Sequence, residues 1–171
     1  MKPSIWHRMD TLSCQLTPFL LTLALVILTL IPFHIPGMAR IMPLLSLVAI
    51  YHWGVYRSDL LPAYAVFLIG LVQDALSGVP MGVYTVIYVV AYSVVAAQHR
   101  FFSGKSFYIV WLGFAVISGA ASAAAWTLIS MVHGSLVDPG AVLYQYALGL
   151  GCYPVIAHVF LRWQRAILRQ I

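Results

Sequence analysis

Long apolar runs, separated by single charges or by turns rich in glycine and proline, make up most of this chain. A helix needs about 20 apolar residues to cross the roughly 30 Å hydrocarbon layer of a membrane. The run from Leu60 to Arg100 contains Gly and Pro within positions 77–82, which predicts a tight turn between two spans. The pattern predicts six spans in one all-α integral membrane domain, over about 17–35, 41–56, 60–77, 81–99, 107–132 and 140–161 of residues 1–171.

Composition supports a membrane protein and argues against a soluble fold. The 171 residues are 63% hydrophobic and only 8% charged, whereas soluble domains carry about 25% charged residues. A soluble fold of this size cannot hide so much apolar surface, because much of its area must face water. Basic residues before the first apolar run are also typical of a signal peptide. That run is too long for one, so we expect a retained first span.

The charges predict how the chain is oriented in the membrane. Cytoplasmic segments of membrane proteins carry an excess of Lys and Arg. With six spans and a cytoplasmic N-terminus, Arg40 is the only one of the nine basic residues on the outer side. The other eight are then cytoplasmic: Lys2, Arg8, Arg57, Arg100, Lys105, Arg162, Arg165 and Arg169. We therefore expect both termini in the cytoplasm. Because the basic residues are scattered between apolar runs, they do not predict binding of nucleic acid.

Polar and small residues inside the spans are the candidate functional positions, since almost any large apolar residue can face lipid. The third helix carries such residues on one face, at i, i+3, i+4, i+7 and i+8: Gly70, Gln73, Asp74, Ser77 and Gly78. Small residues allow close approach of two backbones, and polar residues in lipid need partners. We expect this face to pack against other helices, with a ligand site as the weaker alternative.

Asp74 needs a partner, because a carboxylate in the middle of a membrane costs roughly 2.5–3.5 kcal/mol. The second and third helices form an antiparallel hairpin around positions 57–60, which places Arg40 opposite approximately Ser77, one turn from Asp74. The sequence therefore predicts an Arg40–Asp74 pair that stabilises this hairpin. The alternative partners at similar depth are His34, Tyr84 and His133.

The fifth helix carries a run of small residues. Ser118 and Ser122 form one small-xxx-small pair, and Gly119 and Ala123 form another. Such pairs favour close helix contacts in membranes. We expect this helix to be central and tightly packed, and a role in lining a substrate path is the less favoured interpretation.

The residue types needed for catalysis or metal binding are sparse. The chain has four acidic residues, all Asp, and its six histidines are dispersed with no two at i, i+3 or i+4. A metal site needs converging ligands, and hydrolases or transferases need a nucleophile with a base or paired acids. The chain contains no Gly-x-Ser-x-Gly motif, no His-Glu-x-x-His motif and no phosphate-binding glycine loop. We therefore expect neither an enzyme nor a cofactor.

The stretch Gly70–Gly82 resembles the signature of the bacterial rod shape-determining protein MreD family. The family pattern Gly-Leu-x-x-Asp-x-x-x-Gly-x-x-x-Gly corresponds here to Gly70, Leu71, Asp74, Gly78 and Gly82. Further matching positions lie in the second and fourth helices: Arg40, Pro43, Tyr51, Trp53, Tyr92, Arg100 and Phe101. Length and span number also match, so the resemblance covers nearly the whole chain. Gln73 is a mild departure, where an apolar or acidic residue is as expected.

The resemblance implies a non-enzymatic scaffold of the cell-elongation (rod) complex in the bacterial cytoplasmic membrane. Members of the family act with MreC, and more widely with MreB, RodA and a class B penicillin-binding transpeptidase, to control lateral peptidoglycan synthesis. The family is also similar in fold to the substrate-binding subunits of energy-coupling-factor vitamin transporters. A transporter subunit is therefore the alternative function. We expect a groove on the third or fifth helix to bind a partner's membrane helix, with membrane lipid around it.

Overall fold

The computed structural model describes residues 18–29, 45–102, 104–136 and 138–167, and helices with short turns make up this part of the chain. The helices are α1 (Pro18–Thr29), α2 (Leu45–Tyr56), α3 (Ala63–Ser77), α4 (Val83–Ala97), α5 (His99–Phe102), α6 (Phe107–His133) and α7 (Pro139–Ile167). The all-α prediction is confirmed for the described residues.

Each long helix overlaps one predicted span, with two differences. Positions 30–35 and 41–44 of the first two predicted spans lie outside the described residues. A short helix, α5, follows α4 after a break at Gln98, whose N–H is shared between the carbonyl groups of Val94 and Val95. The last helix continues beyond the predicted end at Leu161 as far as Ile167. Charged residues end the part of a helix that suits hydrocarbon, but they do not end the helix itself, which explains the longer α7.

Only α6 and α7, among the described residues, are long and apolar enough to cross a membrane by themselves. Helices α2, α3 and α4 have 12, 15 and 15 residues. At a rise of about 1.5 Å per residue they are about 18–22 Å long, which is shorter than the roughly 30 Å hydrocarbon layer. The turns at their ends extend this reach, since the chain from Arg57 to Pro62 and from Gly78 to Gly82 is also tightly folded.

The most enclosed helix of the described residues is α2, which corrects the prediction that the fifth span is the central one. Every residue of α2 from Ser46 to Val55 is buried. Its neighbours α4, α7, α5 and α6 surround it. The fifth span, α6, buries one face only and leaves large apolar residues such as Leu112 and Val116 exposed. Periodicity identified the small face of α6 but gave no information on how many helices surround each span.

Aromatic side chains join α2, α6 and α7. The Tyr51 ring contacts the rings of Phe114 and Tyr153, with centroid separations of 5.3 and 5.8 Å. The rings of Phe114 and Tyr153 stack at 4.5 Å. The Tyr51 hydroxyl also donates a hydrogen bond of 2.8 Å to the carbonyl of Val110. This cluster connects the α2–α4 part of the bundle to the two long helices.

The outer surface of the bundle is rich in large apolar side chains. A soluble monomer rarely exposes a large continuous apolar patch. Here exposed apolar residues occur on α1, α3, α4, α6 and α7, including Leu20, Ile27, Phe67, Leu71, Val86, Val90, Ile109, Leu112, Val116, Met131, Leu143, Val155 and Val159. Such a surface is stable when lipid chains cover it.

Candidate functional site

The α3–α4 turn is built on two glycines in backbone conformations that other residues rarely adopt. Gly78 ends α3 with a φ of 67°, and Gly82 precedes α4 with a φ of 107°. An added Cβ at either position would have open space around it. The requirement for glycine here therefore comes from backbone conformation and not from crowding.

The carboxylate of Asp74 lies at the start of α4 and accepts hydrogen bonds from several groups there. The backbone N–H groups of Gly82, Tyr84 and Thr85 donate to it at 2.9, 2.8 and 3.1 Å. The Thr85 hydroxyl donates a further bond of 2.6 Å. Asp74 itself is only 1% exposed. A side chain of α3 therefore caps the next helix in the chain.

This cap explains how a carboxylate can be buried here. The first N–H groups of a helix have no partner inside the helix, and together they carry a partial positive charge. Gly82 stands at the N-cap position of α4 and has no side chain to serve these groups. Asp74 supplies the missing acceptor, and the helix terminus in turn compensates its negative charge.

The predicted Arg40–Asp74 pair stays a prediction, because Arg40 lies outside the described residues, as does His34. Within the described part of the chain, the partners of Asp74 are N–H and hydroxyl groups of the α4 terminus and no cation. Tyr84 contacts Asp74 through its backbone N–H. His133 is exposed at the end of α6, where its ring nitrogen lies 3.0 Å from the Ile129 carbonyl oxygen.

Gly70 allows the close contact between α3 and α4 on which this cap depends. A Cβ added at Gly70 would lie 2.5 Å from the Cα of Thr85, so the two backbones are nearly in contact. Gly70 and Asp74 are one turn apart on the same face of α3, and both contact Thr85. The glycine brings the start of α4 within reach of the carboxylate.

Gln73 and Ser77 belong to a buried polar network that also includes α2. The Gln73 amide donates to the Ser77 hydroxyl at 2.8 Å and accepts from Ser46 at 3.4 Å. Ser46 and Tyr88 lie 2.6 Å apart through their hydroxyl oxygens. Either of these two hydroxyls can be the donor. The network connects α2, α3 and α4.

The structure thus brings Gly70, Gln73, Asp74 and Ser77 together at contacts among the helices of this chain. Each of these residues contacts a neighbouring helix or another residue of α3. Their role as a surface for a partner protein stays a prediction. Sequence reasoning missed Ser46, Thr85 and Tyr88, which complete these contacts. The available signal was their polarity inside apolar runs.

The small residues of the fifth span have different surroundings. The Ser118 hydroxyl donates to the carbonyl of Phe114 in its own helix at 2.6 Å. Gly119 faces Tyr146 of α7, whose ring lies 3.6 Å from the position of an added Cβ. Ser122 and Ala123 line an open groove of about 350 Å³ between α6 and α7. Gly119, Ser122 and Ala123 therefore lie at the α6–α7 contact, where Ser122 also lines a small recess beside Tyr84 of α4.

The described residues contain no group of three His, Cys, Asp or Glu side chains placed to hold a metal ion. His52 is fully buried beside the rings of Tyr56 and Phe160, and neither ring nitrogen has a hydrogen-bond partner. His99 lies 2.6 Å from the carbonyl oxygen of Val55. The buried polar groups of this site are thus arranged for helix packing.

The helices, their apolar outer surface and the buried hairpin cap define an all-α membrane protein. The sequence profile of the family described as rod shape-determining protein MreD matches residues 9–167. Because this match spans most of the chain and includes the Gly70–Gly82 motif, the chain belongs to the MreD family. Searches of curated proteins and of solved structures returned no match. The family consists of non-enzymatic shape-determining membrane proteins, which confirms the prediction that the chain is not an enzyme.

Replacing Asp74 by Ala should lower the stability of the protein substantially. The change leaves the first N–H groups of α4 without an acceptor in a buried setting, at a cost of about 2–3 kcal/mol. Asp74→Asn should cost less, because the amide oxygen still accepts part of these bonds. Thermal unfolding of the detergent-purified protein measures the effect. Asp59→Ala, at an exposed position in the α2–α3 turn, is the matched control. Equal melting temperatures for the two Ala variants would contradict the capping role.

Adding one methyl group at Gly70 should separate α3 from α4. Gly70→Ala places a Cβ 2.5 Å from the Thr85 Cα, so backbone must move, and we expect a loss of about 1–3 kcal/mol. Gly119→Ala is the control, because its Cβ would lie 3.6 Å from the Tyr146 ring, at ordinary contact distance. Unfolding midpoints in one detergent compare the two variants. A Gly70→Ala protein as stable as Gly119→Ala would show that the helices are not closely packed here.

Proposed function

We propose that this protein is a scaffold and regulatory component of the bacterial cell-elongation complex and helps control lateral peptidoglycan synthesis. Membership in a family of rod shape-determining proteins supports this role. The observation that carries the proposal is the structural role of the family motif. Its residues Gly70, Asp74, Gly78 and Gly82 form the close contact, the helix cap and the turn of the α3–α4 hairpin. A motif that builds architecture is what a scaffold needs, since binding surfaces must be held in position.

The proposed partners are MreC and, in the wider complex, MreB, RodA and a class B penicillin-binding transpeptidase. Association between membrane helices depends on close packing and a few hydrogen bonds. The outward apolar faces of α4, α6 and α7 supply surfaces for such contacts. The rigid α2–α4 part would hold those surfaces in a constant orientation while partners bind.

We also propose that the chain crosses the cytoplasmic membrane six times with both termini in the cytoplasm. The distribution of basic residues supports this orientation, with Arg40 as the exception. Helices α2 to α4 are shorter than the hydrocarbon layer, so they would cross where the bilayer is locally thin. Long basic side chains such as Arg57 can extend towards water from the helix ends. The Gly78–Gly82 turn then lies near the outer surface.

Depletion of the protein in its host bacterium should convert rods into spheres. The physical reason is that lateral wall synthesis loses a membrane component that positions it. Microscopy during depletion, with the wild-type gene restored from a second copy as the control, measures the change. Tagged protein should retain MreC after mild detergent extraction. Rod-shaped cells after full depletion would contradict the proposal. Normal shape combined with loss of vitamin uptake would instead identify the transporter subunit.

Single cysteines should report the proposed orientation in intact cells. A cysteine at Leu136, in the α6–α7 turn, should react with a thiol reagent that does not cross the membrane. A cysteine at Ser58, in the α2–α3 turn, should react only after the cells are opened. The native cysteines, Cys14 and Cys152, are replaced by Ser beforehand. The reverse labelling pattern would place the termini outside.

A further inference from the structure

An open groove runs between α6 and α7. Its volume is about 350 Å³, and its lining is mostly apolar: Gly119, Ser122, Ala123, Trp126, Pro139, Val142, Leu143 and Tyr146. Gly119 and Ala123 are four residues apart on α6, so they form a strip where another backbone can approach closely. Small residues alone do not identify a binding site, and the floor of the groove carries the further evidence.

A recess of about 40 Å³ adjoins the groove and shares Ser122, Trp126 and Val142 with it. Tyr84 and Gln145 complete its polar lining. Ser122 and Tyr84 are only 7% and 9% exposed, so both side chains are more than nine-tenths buried. Within the described residues, the hydroxyls of Ser122 and Tyr84 and the side-chain amide of Gln145 make no hydrogen bond. Three neutral polar residues therefore line one space, and none of the described residues offers their side chains a hydrogen bond there.

The chemistry of the recess selects its occupant. Two hydroxyls and one amide offer both donors and acceptors, and no charged side chain lines the space. A neutral group that both donates and accepts is the best complement, as in the side chains of Ser, Thr, Asn and Gln. An ionised group would be buried there without a counter-charge, which is costly.

The uncharged lining of the recess distinguishes a protein side chain from a lipid headgroup. A phospholipid headgroup carries an ionised phosphate, which would be buried there without a counter-charge. Acyl chains cannot form hydrogen bonds. A membrane helix with a neutral polar side chain can satisfy the recess.

We propose that the α6–α7 groove binds a transmembrane helix of a partner protein, with one Ser, Thr, Asn or Gln side chain in the recess. This inference rests on the proposed function, because it assigns the surface through which the scaffold holds a membrane partner. Ala123 and Gly119 let the two backbones approach, and Tyr84, Ser122 and Gln145 select the helix with the matching polar residue.

A second groove, between α4 and α6, provides the internal control. It is larger, at about 460 Å³, and its lining consists of aliphatic side chains such as Val90, Val116 and Ala120. With no polar side chain in this lining, it offers the same apolar surface to lipid as to any helix. The two grooves lie on opposite sides of α6, so matched changes can be made in each.

The test places a photo-crosslinking amino acid at Leu143 in the first groove or at Val116 in the second. These side chains are 68% and 69% exposed, so the two probes are equally accessible. Full-length protein is expressed with full-length MreC in the host membrane and irradiated, and the crosslinked peptides are identified by mass spectrometry. We expect MreC to be crosslinked through its membrane span from position 143 and not from position 116.

Substitutions then test the role of each part of the site. Ala123→Leu should reduce the crosslink about tenfold, whereas Ala120→Leu on the other side of α6 should leave it unchanged. Gln145→Leu and Ser122→Ala should each reduce it about threefold, which is typical of one hydrogen bond between membrane helices. Replacing the polar residue of the crosslinked MreC segment by Leu should also reduce the crosslink about threefold. Combining this change with Gln145→Leu should reduce the crosslink no further, because both changes remove the same hydrogen bond.

Several results would overturn this inference: a crosslink from position 116 only, lipid adducts alone from position 143, or no effect of Gln145→Leu and Ser122→Ala. The last result would mean that the recess holds water only. These outcomes leave the proposed function intact if depletion still produces spheres. Cells that remain rods after depletion would instead reject the proposed function, independently of the crosslinking.

Discussion

The carboxylate of Asp74 at the N-terminus of α4 is the interaction on which the rest of the structure depends. In a membrane no water is available for exposed N–H groups, so each helix end that is buried needs an acceptor from the protein. Asp74 supplies that acceptor from α3, and the helix terminus compensates its charge. The close approach at Gly70 and the backbone conformations of Gly78 and Gly82 are conditions for this one contact.

The bundle divides into a tightly packed part and a more open part. Helices α2, α3 and α4 are joined by the Asp74 cap and by the network of Ser46, Gln73 and Tyr88. Helices α6 and α7 are longer, carry large exposed apolar side chains, and leave grooves on both sides of α6. The aromatic cluster around Tyr51 connects the two parts. The family signature therefore lies in the scaffold, and the surfaces suited to partners lie elsewhere.

The sequence predicted much of this arrangement. Apolar runs located the long helices, and glycine and proline located the α3–α4 turn, because those residues have distinct backbone preferences. The i, i+3, i+4 spacing placed Gly70, Gln73 and Asp74 on one face. Sequence reasoning looked for a side-chain partner of Asp74, with Arg40 first and Tyr84 among the alternatives. Arg40 lies outside the described residues, and Tyr84 contacts Asp74 through its backbone N–H. Three of the four described donors to Asp74 are backbone N–H groups, which every residue except proline carries and which leave no mark in a sequence.

The sequence by itself therefore determined the class of protein, the helices, the turn and the family. These follow from local properties, such as hydrophobicity, charge and the freedom of glycine, that act over a few residues. Only the tertiary structure decided that α2 is the enclosed helix and that both Gly70 and Asp74 contact Thr85. It also decided that Tyr84, Ser122 and Gln145 line one recess. Each of these depends on distances between residues far apart in the chain, which packing sets and local preference does not.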